Sequence, residues 1–298
     1  VQSGIKLFSG INFSNVLGAA LPSILESGGI YVSPNAGPST QAGEKCHKNY
    51  YVVSFQNDAF HETAGIAANE LGYKKVVLLA PNYQAGKDAL EGFKRRYKGQ
   101  VIQEIYTKLD QTDFSVELAR VRSLAPEAIY QFHPGGAGIN FAKQYANAGL
   151  SGSVPMLLPT FSMDTRMVIA TGNAAEGVIA VGSWSPELDV PESKAFVDAF
   201  KKAYNRVPTL YAAQAYDTAR AIGKALDAVG GDVSKVDDFR KAMLKADFPS
   251  VRGNFKFDVN QHPIQDYYVT RFEKDASGQL VQKVVRKVAE NYRDSFAE

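Results

Sequence analysis

The sequence predicts an α/β protein built on parallel sheets that carry helices on both faces. Three observations predict it. Short apolar runs recur at 76–80 (VVLLA), 101–106 (VIQEIY), 128–132 (AIYQF) and 154–158 (VPMLL), with apolar residues at helical spacing between them. Runs that are apolar without alternation are strands buried on both faces, as in a parallel sheet covered above and below. After Trp184 the rhythm gives way to longer helices and then to alternating strands, which marks a second unit beside the first. Such sheets bind ligands outside the carboxyl ends of their strands, so functional residues are sought there.

The chain has 298 residues, 45% hydrophobic and 21% charged, with a net charge of +2. That is about twice a ~150-residue domain, with enough apolar material for a large core. The densest basic cluster, Lys94, Arg95 and Arg96, reads as a solvated face near a helix end. No basic run is long enough for nucleic acid or anionic lipid. No apolar stretch approaches the ~20 residues of a membrane span, so direct membrane insertion is not expected. No signal peptide is visible at Val1. The single cysteine, Cys46, excludes an intrachain disulfide and leaves the redox compartment open.

Residues 5–10 (IKLFSG) read as a strand ended by Gly10. Residues 13–28 read as a helix, with Val16, Ala20 and Ile24 every four residues and Pro22 able to kink it. A short strand at 30–32 is closed by the loop SPNAGP at 33–38, which can continue neither element. A helix over 58–71 takes Asp58 as its cap. The next, 85–97, puts Ala85, Ala89, Leu90 and Phe93 on one face. Asp113 caps 114–123, 139–148 stops at Gly149, Asp164 caps a further helix, and VIAV at 178–181 is the strand that continues the beat. Beyond it, 193–204 carries Phe196, Phe200 and Tyr204 at helical spacing. Pro208 precedes a long helix over 209–229 ended by Gly230 and Gly231, and 236–245 is helical. Residues 255–272 alternate as strands around Asn260, and DASG at 275–278 is a turn.

The four histidines, His47, His61, His133 and His262, do not stand at metal-ligand spacing, and CxxC, HExxH and GxSxG are absent. No metal, cofactor or catalytic centre is expected. Cys46 and His47 are a nucleophile and a base only by sequence adjacency. The turn HPGGAG at 133–138 brings backbone close to a ligand. Phosphate at its helix N-terminus is the alternative, weakened because no Lys–Ser/Thr pair follows. Phe13, Tyr83, Phe132, Phe161, Trp184 and Tyr211 all fall at strand carboxyl ends or helix starts. Core packing explains any one of them, but six at one edge predict an apolar pocket. Ser14, Asn35, Ser39, His133 and Thr160 supply its polar tips, and helix N-termini there favour an anion such as a carboxylate.

The stretches SGINFSNVLGAALPSILESGGIYVSPNAG, FHPGGAGINFAKQYANAGL, NAAEGVIAVGSWSPELD and PTLYAAQAYDTARAIGKAL resemble, in order and spacing, the leucine/isoleucine/valine-type periplasmic binding proteins. These are the solute-binding subunits of ABC transporters and have the type I periplasmic fold. The resemblance implies two doubly wound α/β lobes joined by three crossovers, a ligand held between them, a membrane permease as partner and a periplasmic location. It assigns 1–54 and 183–266 to lobe 1, and 55–182 and 267–298 to lobe 2. It also implies a strand, helix, strand and helix ahead of Ile5, which this sequence does not show.

For the site, the resemblance implies that Ser14 and the loop Asn35, Ala36 and Gly37 hold a ligand carboxylate, and that Tyr211 lines the pocket. Trp184 then flanks the ligand body, and Tyr83, His133, Pro134, Gly135 and Phe161 close on it from the other lobe. Thr160 stands where the family's amino-acid binders place the acid that holds the ammonium. A threonine offers no charge to a desolvated ammonium, which is costly to bury unpaired. The expected ligand is therefore a small carboxylate with an apolar or aromatic body, with a branched-chain or other amino acid as the alternative. Two readings of other classes are a nucleotide-using enzyme, which lacks a catalytic constellation, and a ligand-sensing regulator, which would need a DNA-binding head ahead of Val1.

Overall fold

The computed structural model, which describes residues 3–297, contains two sheets. The first is parallel, in the order β1 (Leu7–Phe8), β2 (Ile30–Ser33), β3 (Tyr50–Val52). Helix α1 (Ser14–Glu26) joins β1 to β2, and the short α2 (Ser39–Ala42) lies between β2 and β3. Helix α3 (Asn57–Glu70) then leads into the second sheet. There, β4 (Lys75–Pro81), β5 (Gln100–Thr107), β6 (Ala128–Gln131), β7 (Met156–Pro159) and β8 (Ile179–Gly182) run parallel. They are linked in turn by α4 (Gln84–Arg96), α5 (Ser115–Leu124), α6 (Gly136–Asn147) and α7 (Thr165–Thr171). Three helices follow: α8 (Pro191–Tyr204), α9 (Leu210–Val229) and α10 (Val236–Lys245). The strands β9 (Phe255–Phe257), β10 (Pro263–Lys274) and β11 (Leu280–Tyr292) finish the chain, and β10 pairs antiparallel with β8, β9 and β11.

Both sheets are covered on two faces, and the strand period of two decides what covers them. Ile30 and Val32 pack with Ala221, Ala225 and Phe239 of α9 and α10, whereas Tyr31 between them packs with Leu17 and Leu21 of α1. In β4, Val76, Leu78 and Ala80 face α3 and α4, and Val77 and Leu79 face α5 and α6. The result is two α/β lobes. The chain passes between them three times: from β3 to α3, from β8 to α8 and through β9 into β10.

Several sequence-based expectations need correction. Helix α3 is capped by Gln56, whose side chain accepts from Ala59 N–H at 2.8 Å; Asp58 turns instead to Arg95 at 2.8 Å. Asp113 accepts from Ser115 N–H at 2.9 Å, one residue outside the formal cap. The 101–106 run is not buried on both faces, because β5 is an edge strand and is half-exposed. Strand β3 and the 13-residue β11 were not expected as strands. Strand β10 runs across residue 266, pairing with β9 at Pro263–Gln265 and with β8 at Tyr268–Arg271.

One buried ion pair ties two of the three passages together. Arg252 and Asp217 are fully buried and meet at 2.9 Å. Arg252 Nη1 also donates to Ser54 O at 2.8 Å and Gln265 Oε1 at 2.7 Å. Asp217 further accepts from Ser250 Oγ at 2.6 Å and Val251 N–H at 3.0 Å. Removing one partner of such a pair leaves an uncompensated buried charge, at a cost of about 3–5 kcal/mol. Arg252→Met is therefore expected to lower unfolding free energy by about that amount in urea titration. A loss below about 1 kcal/mol would contradict this role for the pair.

Candidate ligand-binding site

A cavity of about 280 Å³ lies between the lobes. Its walls come from the loops that follow strand carboxyl ends: Asn12, Phe13 and Ser14 after β1, Asn35 and Ala36 after β2, Phe55 after β3, Tyr83 and Ala85 after β4, Phe132, Pro134 and Gly135 after β6, and Phe161 after β7. Asn57 and His61 of α3 and Tyr211 of α9 complete the lining. A wider space of about 470 Å³, bounded by Val16, Leu109, Thr112 and Asn140 among others, adjoins it through the shared Phe13 and Pro134.

One end of the cavity presents hydrogen-bond donors and the start of a helix. Helix α1 starts at Ser14 with no side-chain cap and no acid in its first turn, and its ladder begins only with Leu17 N–H to Phe13 O at 2.9 Å. Its leading N–H groups are therefore open and carry the positive end of the helix dipole. Ser14 Oγ accepts from Asn57 Nδ2 at 3.2 Å, which leaves the hydroxyl proton for a ligand. The loop after β2 is held rigid beside it. Ala36 O accepts from Ser33 Oγ at 2.6 Å and Tyr50 Oη at 3.0 Å, and Asn35 Nδ2 donates to Asn12 O at 2.8 Å.

Behind Ser14, a carboxylate joins the two lobes. Asp88 of α4 is buried and accepts from Ser39 N–H at 3.1 Å and Ser39 Oγ at 2.7 Å, both on the first lobe's α2. It also accepts from Asn57 Nδ2 at 2.9 Å and Gln84 Nε2 at 2.8 Å. Asn57 thus touches both the anchor serine and the interlobe carboxylate. No Asp, Glu, Lys or Arg side chain lines the cavity itself among the described residues.

The remaining walls are aromatic. Tyr83 stacks on Phe132 at 6.2 Å, Phe132 meets Phe161 edge-on at 5.3 Å, and Phe161 stacks on Phe55 at 5.1 Å. Tyr211 Oη donates to Phe161 O at 3.2 Å across the cleft. Burial pushes the Tyr83 and Tyr211 hydroxyls up, so both stay protonated. Burial likewise depresses His61 to about 3, leaving it neutral.

Of the expected site residues, Ser14, Asn35, Ala36, Tyr83, Pro134, Gly135, Phe161 and Tyr211 meet at the cavity; Ser39 turns to Asp88 instead, and four others do not reach it. Trp184 is core: its Nε1–H donates to Ser193 Oγ at 2.8 Å and its ring packs on Phe196. His133 lies on the other face of the sheet, stacked on Phe141, with Thr107 Oγ1 at 3.1 Å and Gln131 Oε1 at 2.8 Å on its two nitrogens. Thr160 is buried against Gly182, where a Cβ would fall 2.1 Å from its hydroxyl. Gly37 gives its N–H to Asn57 Oδ1 at 3.3 Å, and a Cβ there would lie 2.0 Å from Phe55 O, so close backbone approach explains the glycine. Asn57 and His61 were missed because they stand on a helix face rather than at a strand end.

This geometry coincides with what comparison with known proteins finds. Residues 1–278 match the family model described as periplasmic binding protein. The chain belongs to that family, whose members serve as solute-binding subunits of ABC transporters. A solute-binding protein of an ABC transporter from R. palustris, in complex with benzoate, superposes with a TM-score of 0.93 at 31% identity, covering 99% of this chain and 80% of that one. Another, from Rhodopseudomonas palustris BisB5 in complex with 3,4-dihydroxybenzoic acid, gives 0.88 at 27% identity over 99% and 81% of the two chains. The branched-chain amino acid binding protein LivJ of Streptococcus pneumoniae, in complex with isoleucine, shares the fold at 23% identity, with a TM-score of 0.80 over 96% and 81%. No curated protein sequence matches the chain.

Burial of the histidines makes the fold acid-labile. Burial depresses His61 and His133 to about 3 and His262 to about 4. Their unfolded value is near 6.5, so the stability they contribute is complete above that pH and is lost as pH falls toward 3–4. Asp58 runs the other way: burial and the neighbouring Asp88 raise it to about 7, so it favours folding as pH falls from 7 towards its unfolded value of 3.8. Arg95 cannot fully offset this because it also serves Glu62 at 2.6 Å. For these four groups taken alone, unfolding near pH 5 takes up about two protons net. Stability should then fall by about 2–3 kcal/mol per pH unit. An unchanged urea midpoint between pH 6 and pH 5 would contradict it.

Proposed function

We propose that this solute-binding protein captures a small aromatic carboxylate between its lobes and presents it to the membrane permease of an ABC transporter. The observation that carries this reading is a cavity walled by aromatic rings, with an uncapped helix N-terminus and Ser14 at one end and no acid in its lining to receive an ammonium. An α-amino acid would leave its ammonium desolvated and unpaired, whereas a simple carboxylate needs only the donors already present. The R. palustris relative bound to benzoate supports the same ligand class. In this reading Ser14, Ala36 N–H and the first turn of α1 take the carboxylate, and Tyr83, Phe132, Phe161 and Tyr211 enclose the ring.

The lobes proposed to close on the ligand are 1–54 with 183–266 and 55–182 with 267–298. The ligand leaves unchanged, because capture involves no bond making or breaking. The reading places the chain outside the cytoplasm, as its family implies. The partner in this reading is the transporter's membrane permease; no helix among the described residues is long and apolar enough to cross a membrane.

Calorimetric titration tests the reading. Benzoate or a substituted benzoate should bind, while leucine, isoleucine and valine should not. Ser14→Ala removes one donor to a charged group and should cost about 1.5–3 kcal/mol, roughly ten- to a hundredfold in affinity. Tyr211→Ala should weaken aryl acids more than small aliphatic acids. Saturable binding of isoleucine with silence toward aryl acids would contradict the ligand class. Unchanged affinity in both variants would contradict the site.

A further inference from the structure

A second polar feature lies within the aromatic wall, one helical turn from the anchor. His61 follows Asn57 by four residues on α3, so the two side chains share a face and stand about 6 Å apart. That span is comparable to the distance across a benzene ring from a carboxylate to a ring substituent. His61 is 1% exposed and lines the cavity between Phe132 and Phe161, with ring centroids at 5.5 and 5.9 Å. Its Nδ1 is engaged by Tyr130 Oη, and Nε2 has no hydrogen-bond partner among the described residues.

The Tyr130 hydroxyl decides the tautomer. Tyr130 is fully buried, and His61 is the one hydrogen-bond partner its hydroxyl finds among the described residues. A phenol proton buried without an acceptor is strongly disfavoured, so Tyr130 donates and Nδ1 accepts. The neutral ring then carries its proton on Nε2. The cavity therefore meets an N–H donor set in an otherwise apolar surround.

Resting on the aryl-carboxylate reading above, we propose that His61 Nε2–H is a specificity-determining donor that reads an acceptor oxygen on the ligand's ring. The site accordingly prefers a hydroxy-substituted aryl carboxylate over the unsubstituted acid. A ligand without that oxygen leaves a buried donor unpaired, and sites built to hydrogen-bond a substrate group discriminate strongly against analogues that lack it. Tyr130 acts as a positioning residue: it touches no ligand but fixes which nitrogen bears the proton.

The test is calorimetric titration of the wild-type protein, His61→Leu and Tyr130→Phe with benzoate, 3-hydroxybenzoate and 4-hydroxybenzoate. Wild type should prefer at least one hydroxybenzoate over benzoate by about tenfold or more. That ratio should collapse toward one in His61→Leu and shrink in Tyr130→Phe. Equal wild-type affinities, or an unchanged ratio in His61→Leu, would overturn the role of His61 while leaving the aryl-carboxylate reading standing. Failure of wild type to bind any of the three would overturn that reading itself. Long-range proton–nitrogen NMR of the wild-type imidazole needs no variant to fold: a protonated Nε2 supports the proposal, and a protonated Nδ1 overturns it.

Discussion

The closed cleft depends on one buried carboxylate. Asp88 sits on the second lobe but takes two of its hydrogen bonds from Ser39 of the first. A buried charge persists only when its partners satisfy it, and here the partners come from both sides of the cleft. Asn57 is the shared element. It bonds Asp88, it bonds Ser14, and its Oδ1 takes the Gly37 N–H. Ser14, the loop after β2 and the interlobe contact are thus one hydrogen-bonded unit, and displacing any part of it disturbs the others.

This arrangement also separates charge from the cavity. Asp88 is surrounded by four donors and stands behind the Asn57 amide, so the space a ligand enters is lined by neutral groups. The uncapped start of α1 then sets the sign of the anchor end, and the aromatic walls supply apolar contact area. The selectivity proposed for a carboxylate without an ammonium rests on donors at one end, rings around the body and no acid to balance a cation.

Much of the fold was legible because parallel strands buried on both faces cannot hide their composition: β4, β6, β7 and β8 each stand where an apolar run predicted one. The 13-residue β11 was not legible, since Lys283, Arg286, Lys287 and Glu290 break both a continuous apolar run and a clean alternation along an edge strand that needs no second apolar face. At the site, the carboxyl-end rule located the right loops but not always the right side chain. Adjacent residues leaving a strand point to opposite faces. Phe132 therefore joins the cavity wall, while His133 turns to the α5 and α6 side. Trp184 also follows a strand, but its indole is drawn into the core by Ser193. Asn57 and His61 lay beyond the rule because α3 presents them by helical spacing across the cleft from α1, and that proximity exists only in the folded chain.

The orientation of a bound aryl acid tests the central claim most directly. A crystal structure of the protein with 4-hydroxybenzoate should place the carboxylate within hydrogen-bond distance of Ser14 Oγ and the first N–H groups of α1, with the ring between Tyr83 and Phe161. A carboxylate at the His61 end, or a ligand bound outside the cavity bounded by these residues, would contradict the account.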